Sequence, residues 1–74
     1  MKIYIVEREE NTGDGFWQNA GTALCVNEKV AKREMKRMID ESCDGDFDYS
    51  EDNTLAESQN GWVRVRYYEM PVME

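Results

Sequence analysis

The sequence predicts an α+β fold: a three- to four-stranded, mostly antiparallel sheet with one amphipathic helix packed on one face. Three observations lead there. The chain opens on a β-branched and aromatic run, Ile3-Tyr4-Ile5-Val6; a helical stripe of apolar residues follows between Asn27 and Cys43; and the chain closes on an alternating run from Trp62 to Tyr68. A single amphipathic helix must bury its stripe against something, and here only a sheet is available. With 74 residues, the expectation is one domain spanning residues 1–74. A core of this size supplies only ~3–5 kcal/mol of net stability and leaves little room for a deep active site.

The elements follow in order. Residues 2–8 read as a strand with apolar residues on both faces, which suits an interior position. Residues 9–15 read as a turn, with Asn11, Gly13, Asp14 and Gly15 supplying its chemistry. Residues 16–26 read as a second strand, broken near Gly21, that forms a hairpin with the first. Residues 27–43 form the helix. Asn27 is its N-cap and Glu28 sits in its first turn. Ala31, Met35, Met38 and Ile39 form the buried stripe, and Lys29, Lys32, Arg33, Lys36 and Arg37 form the opposite, basic face. Asp44-Gly45 ends the helix, with Gly45 in a left-handed turn.

Residues 46–60 are polar and acidic, with Phe47, Tyr49 and Leu55 as apolar anchors. The expectation is a short strand or ordered loop with a mobile middle near residues 50–53. Asn60-Gly61 is a strong hairpin signal that joins a strand near residues 54–59 to the final strand, residues 61–68. Val63, Val65 and Tyr67 belong on the core face of that strand, and Trp62, Arg64, Arg66 and Tyr68 on the other. Pro71 limits further ladder pairing.

The formal net charge is −7. Such a charge opposes general binding to nucleic acid or to anionic membrane and favours a partner with a basic surface. The apolar start is too short for a signal peptide, and no run approaches a transmembrane span, so a cytoplasmic protein is expected. Two cysteines, Cys25 and Cys43, are too few for a disulfide scaffold; each reads as a small buried hydrophobe. With no histidine, they cannot complete a zinc site. Asp44-x-Asp46-x-Asp48 has the alternating acids of a calcium loop, but the sixth and twelfth positions hold Tyr49 and Leu55 where Gly and Glu are required. Neither a metal nor a cofactor is expected.

Catalysis has little support. Histidine is absent, and there is no nucleophile elbow or phosphate-binding glycine loop. The carboxylates lie in a stretch without an apolar pocket to separate their pKa values. The chain therefore reads as a non-enzyme.

Two surfaces remain as candidates. The first is the stretch from Asp40 to Glu57, whose acids have no intervening Lys or Arg. Its partner-binding residues are Asp44, Asp46, Asp48, Tyr49, Glu51, Asp52 and Glu57. It is either a negatively charged docking surface that engages Arg and Lys as phosphate does, or a solvated loop answered in part by the basic helix face. The second is the face of Trp62, Arg64, Arg66 and Tyr68. Its uses are base stacking with phosphate contact, arginine stacking that covers the sheet, and protein contact. Trp17, Tyr49 and Trp62 are candidate apolar anchors. A third possibility is a structural protein whose sheet edge pairs with a second copy as a dimer.

The start Met1-Lys2-Ile3-Tyr4-Ile5-Val6, the single central helix and the last strand Trp62-Val63-Arg64-Val65-Arg66-Tyr67-Tyr68-Glu69 resemble small phage and mobile-element proteins. These include the anti-CRISPR inhibitors, many of them acidic and some of them DNA mimics. The resemblance implies a non-catalytic inhibitor of a CRISPR or other nucleic-acid-binding effector, acting in the cytoplasm of a bacterial host. No residue carries over from it.

Overall fold

The computed structural model describes residues 2–43 and 45–72. The chain runs β1 (Lys2–Asn11), β2 (Trp17–Cys25), α1 (Glu28–Ser42), β3 (Phe47–Tyr49), β4 (Leu55–Ser58) and β5 (Val63–Pro71). The strands form one antiparallel sheet in the order β2-β1-β5-β4-β3, five strands where three or four were expected. The additional strand is the three-residue β3.

β1 holds the interior place that its apolar content implies, between β2 and β5. It runs on to Asn11, so the first turn is shorter than expected. A bulge between Arg8 and Glu9 leaves Ala20 of β2 unpaired, just before the expected break at Gly21. The final strand begins at Val63 and extends through Pro71, which pairs with Lys2. Proline is tolerated there because β4 has already ended and that side of β5 is an edge.

The core lies between the helix and one face of the sheet. Val6, Cys25, Val63, Val65 and Tyr67 pack against Ala31, Met35 and Met38 of α1, with Tyr4, Ala23, Val30, Ile39 and Phe47 partly buried around them. α1 starts as its sequence dictates: the Asn27 side chain accepts a hydrogen bond from the Val30 amide at 2.9 Å. It ends one step earlier than expected. Cys43, not Gly45, is the residue that leaves the helix, in the left-handed region at φ 56°, although Gly45 is also left-handed at φ 77°. Cys43 is therefore exposed, which corrects its reading as a buried hydrophobe; Cys25 is buried as expected.

α1 lies over β2, β1 and β5 and leaves the β3–β4 hairpin projecting past it. That hairpin is tightly hydrogen-bonded. Its buried residues are Ala56 and Ser58, and Phe47 is half-buried. The Ser58 hydroxyl donates to the Asn60 side chain and accepts from the Val63 amide, so burial leaves it satisfied. The Asn60-Gly61 signal performs its expected role: Gly61, at φ 79°, lies in the turn that joins β4 to β5. Tyr49 and Leu55, expected as anchors, are instead exposed. Tyr49 lies on the helix side, beside the open flank of α1, and Leu55 faces the side away from the helix. Among the described residues, no helix is long and apolar enough to cross a membrane.

Candidate functional site

Residues alternate across a strand, so the face opposite the helix carries a second set of side chains. In register across that face stand Asn19, Glu9, Arg64, Glu57 and Asp48 in one row, and Thr22, Glu7, Arg66 and Leu55 in the next. The arginines are engaged within the sheet. Arg64 makes a two-pronged pair with Glu9, with both contacts at 3.2 Å, and stacks on Trp17 at 4.3 Å from the ring centre. Arg66 holds Glu7 at 3.0 Å, and Glu7 also accepts from the Tyr68 hydroxyl at 2.8 Å. That hydrogen bond, followed by burial, raises the Tyr68 pKa. Arg64, Arg66 and Tyr68 thus share one face as the alternation predicts, and arginine stacking is what the geometry favours for them. A phosphate on this face would have to displace two carboxylates. Trp62 precedes β5 and is half exposed.

The helix answers its own charges in the same way. Lys32 pairs with Glu28, Lys36 with Asp40, and Arg37 with both Glu34 and Glu41. Asp40 and Glu41 sit in the last turn, where the helix dipole disfavours acids. Their partners lie one turn earlier on the same helix. The basic helix face therefore neutralises only the first two acids of the acidic stretch.

The rest of that stretch is different. Among the described residues, the acids with no Lys or Arg nitrogen within 4 Å are Asp14 and then Asp46, Asp48, Glu51, Asp52 and Glu57. All but Asp14 lie on or beside the β3–β4 hairpin. Asp44 lies outside the described residues. Asp48 and Glu57 stand directly opposite each other on the open face. Like charges so placed oppose folding. Arg64 is in register with Glu57 on the neighbouring strand, but turns to Glu9 and Trp17 instead.

The turn between β3 and β4 is organised by Asp52. Its carboxylate accepts from the Thr54 hydroxyl at 2.7 Å, the Ser50 hydroxyl at 2.8 Å and the Thr54 amide. These bonds, led by that from the Thr54 side chain, hold its pKa below the ordinary 3.8. Ser50 also receives the Leu55 amide. The middle expected to be mobile is thus a hydrogen-bonded turn. Asp52 shapes the loop, while Asp46, Asp48, Glu51 and Glu57 are exposed, Asp48 accepting from the Gln59 side chain at 3.2 Å.

Tyr49, 55% exposed, lines an open groove of about 330 Å³ together with Lys32, Met35, Lys36, Ile39 and Asn53. This groove was not legible in the sequence, because its two walls come from the flank of α1 and from a hairpin whose position depends on the sheet. No family model matches the chain, and no curated protein or solved structure was found similar to it.

Proposed function

We propose that this protein is a small acidic, non-catalytic binding protein. Its β3–β4 hairpin docks on a basic, nucleic-acid-binding surface of a protein partner and blocks that surface, in the manner of anti-CRISPR and other anti-defence inhibitors. One observation carries the reading: among the described residues nearly every acid elsewhere in the fold has a Lys or Arg nitrogen within 4 Å, whereas Asp46, Asp48, Glu51 and Glu57 do not. The hairpin holds these carboxylates on a backbone fixed by ladder and turn hydrogen bonds. A preorganised array of this kind loses little entropy on binding, and its charge steers it toward a basic surface. Tyr49 supplies an exposed ring beside the acids.

The test is competition. The protein is titrated into a CRISPR nuclease complex, and displacement of nucleic acid is followed as salt is raised. Affinity is expected to fall at least about tenfold between low and high ionic strength. The pair of substitutions Asp48→Lys and Glu57→Lys should abolish displacement; Asp52 is spared because the turn depends on it. Displacement that is indifferent to salt and to these substitutions would exclude the hairpin as the docking surface.

A further inference from the structure

We infer that the β2 edge is a self-association surface, and that two copies pair through it into one continuous sheet. This inference goes beyond the proposed inhibitor role and does not depend on it.

The most exposed large apolar side chains of the described residues gather on or next to this strand: Val26 at 78%, Leu24 at 71% and Phe16 at 70%. Leu24 continues an apolar row across the open face, in register with Ile5 and then Tyr68, and Ile3 and Met70 form the row beside it. Ile5 is only 8% exposed, although it lies on the face without the helix. An apolar patch thus extends from the interior of the sheet to its β2 edge.

The edge itself lacks the usual guards. Natural edges are blunted with charge, proline or brevity. The β3 edge is three residues long and carries Asp48. The free end of β5 carries Glu69 and Pro71. β2 is nine residues long, with neither a charge nor a proline. The neutral run extends from Gly15 to Asn27 in a chain where 34% of residues are charged. Its one guard is the bulge at Ala20, which leaves Gly21–Cys25 in regular pairing with β1.

A second copy is the occupant that these features fit. A charged partner finds nothing to pair with on a neutral strand, whereas an antiparallel strand can pair with itself across a two-fold axis. In a chain of net charge −7, self-association is disfavoured wherever it brings acids together. Pairing at β2 avoids this, because the acidic hairpin is at the far end of the strand order, four inter-strand spacings away, or roughly 19 Å. With the two-fold near Leu24, the two leucines meet across the new ladder, and the backbone groups of both edges find partners.

The experiment is sedimentation equilibrium of the full chain across a dilution series. The wild type is expected to approach twice the 8.7 kDa monomer mass. Leu24→Lys should raise the dimer Kd at least about tenfold and leave the far-ultraviolet circular dichroism unchanged, since Leu24 lies outside the core. Leu24→Glu should do the same. An equimolar mixture of the two variants should regain the dimer, because opposite charges then face each other across the axis. Amide exchange should slow with concentration in Thr22–Val26 and not in β3. A wild type that stays at monomer mass overturns the proposal. So does a dimer untouched by both substitutions, a mixture that remains monomeric, or protection confined to β3. The hairpin substitutions Asp48→Lys and Glu57→Lys leave the β2 edge intact, so failure of the inhibitor reading is scored separately.

Discussion

Cys43 turns the backbone out of α1 at φ 56° and ψ 28°, a conformation that side chains with a Cβ adopt at a cost. Glycine adopts it freely but has more unfolded-state entropy to lose. The first effect is the larger here, so Cys43→Gly should stabilise the protein by about 0.5–1 kcal/mol in denaturant unfolding, with no change in slope. A destabilised variant would mean that the Cys43 side chain contributes packing despite its exposure. The sequence pointed to the wrong residue for this turn because Asp44-Gly45 carries the stronger composition signal. Where the helix stops depends on where the apolar stripe loses the sheet, and Met38 is its last buried member. Ser58 makes a related point. A serine in an acidic segment reads as surface, yet it is buried with its hydroxyl hydrogen-bonded on both sides.

The elements differ in how plainly they are written. α1 and β5 were legible because their buried residues are large and periodic: Ala31, Met35 and Met38 at helical spacing, and Val63, Val65 and Tyr67 at alternate positions. β4 was harder to read because its inward residues, Ala56 and Ser58, are small or polar, while its apolar Leu55 faces outward. The β3–β4 hairpin carries its own prediction. Asp48 and Glu57 oppose each other across the ladder, so neutralising one relieves repulsion. Asp48→Asn or Glu57→Gln should raise stability by roughly 0.2–1 kcal/mol in thermal or urea unfolding. If the hairpin is the docking surface, the same substitutions should weaken partner binding. That opposition of signs is what a surface kept for binding would produce. Asp48 also accepts from the Gln59 side chain at 3.2 Å, so an Asp48 variant that lowers both would show that this bond outweighs the repulsion.

At the scale of the whole molecule, titration sets the limits of the fold. Tyr67 and Tyr4 have raised pKa values, chiefly from burial and then from Glu28 and Glu69 respectively, and Tyr68 is raised chiefly by its hydrogen bond to Glu7. Each is neutral in the fold at a pH where the unfolded chain already ionises. Their contribution is therefore complete below the unfolded value near 10 and is lost as pH rises through the folded values. Asp52 and Glu69 are lowered, Asp52 chiefly by the Thr54 hydroxyl and Glu69 chiefly by its hydrogen bond to Lys2. Their contribution is complete above the unfolded value near 4 and is lost as pH falls through the folded values. Burial likewise raises the Cys25 thiol above its ordinary 9.0. Urea midpoints measured against pH should thus be level from above the carboxylate range up to about 9. They should fall first on the alkaline side with Cys25 and then with the tyrosines, and fall on the acid side with Asp52 and Glu69. Tyr67→Phe should soften the alkaline limb, and an alkaline limb unchanged in that variant would remove Tyr67 as a cause.

Local pattern alone specifies an α+β chain with one amphipathic helix, an interior first strand, a last strand with Val63, Val65 and Tyr67 inward, and an excess of acid concentrated after the helix. Each of these is local: a period, a cap, a turn pair or a run of like charge. Which charges are spent within the fold depends on strand order and register. Glu7 and Glu9 meet Arg66 and Arg64 because the β1–β5 register brings together residues more than fifty positions apart. Once those pairs form, the arginines are committed to the sheet, and the uncompensated charge falls on the β3–β4 hairpin at the far end of the strand order. Which edge is left neutral and apolar is decided the same way, by strand order, which no local pattern in the chain specifies.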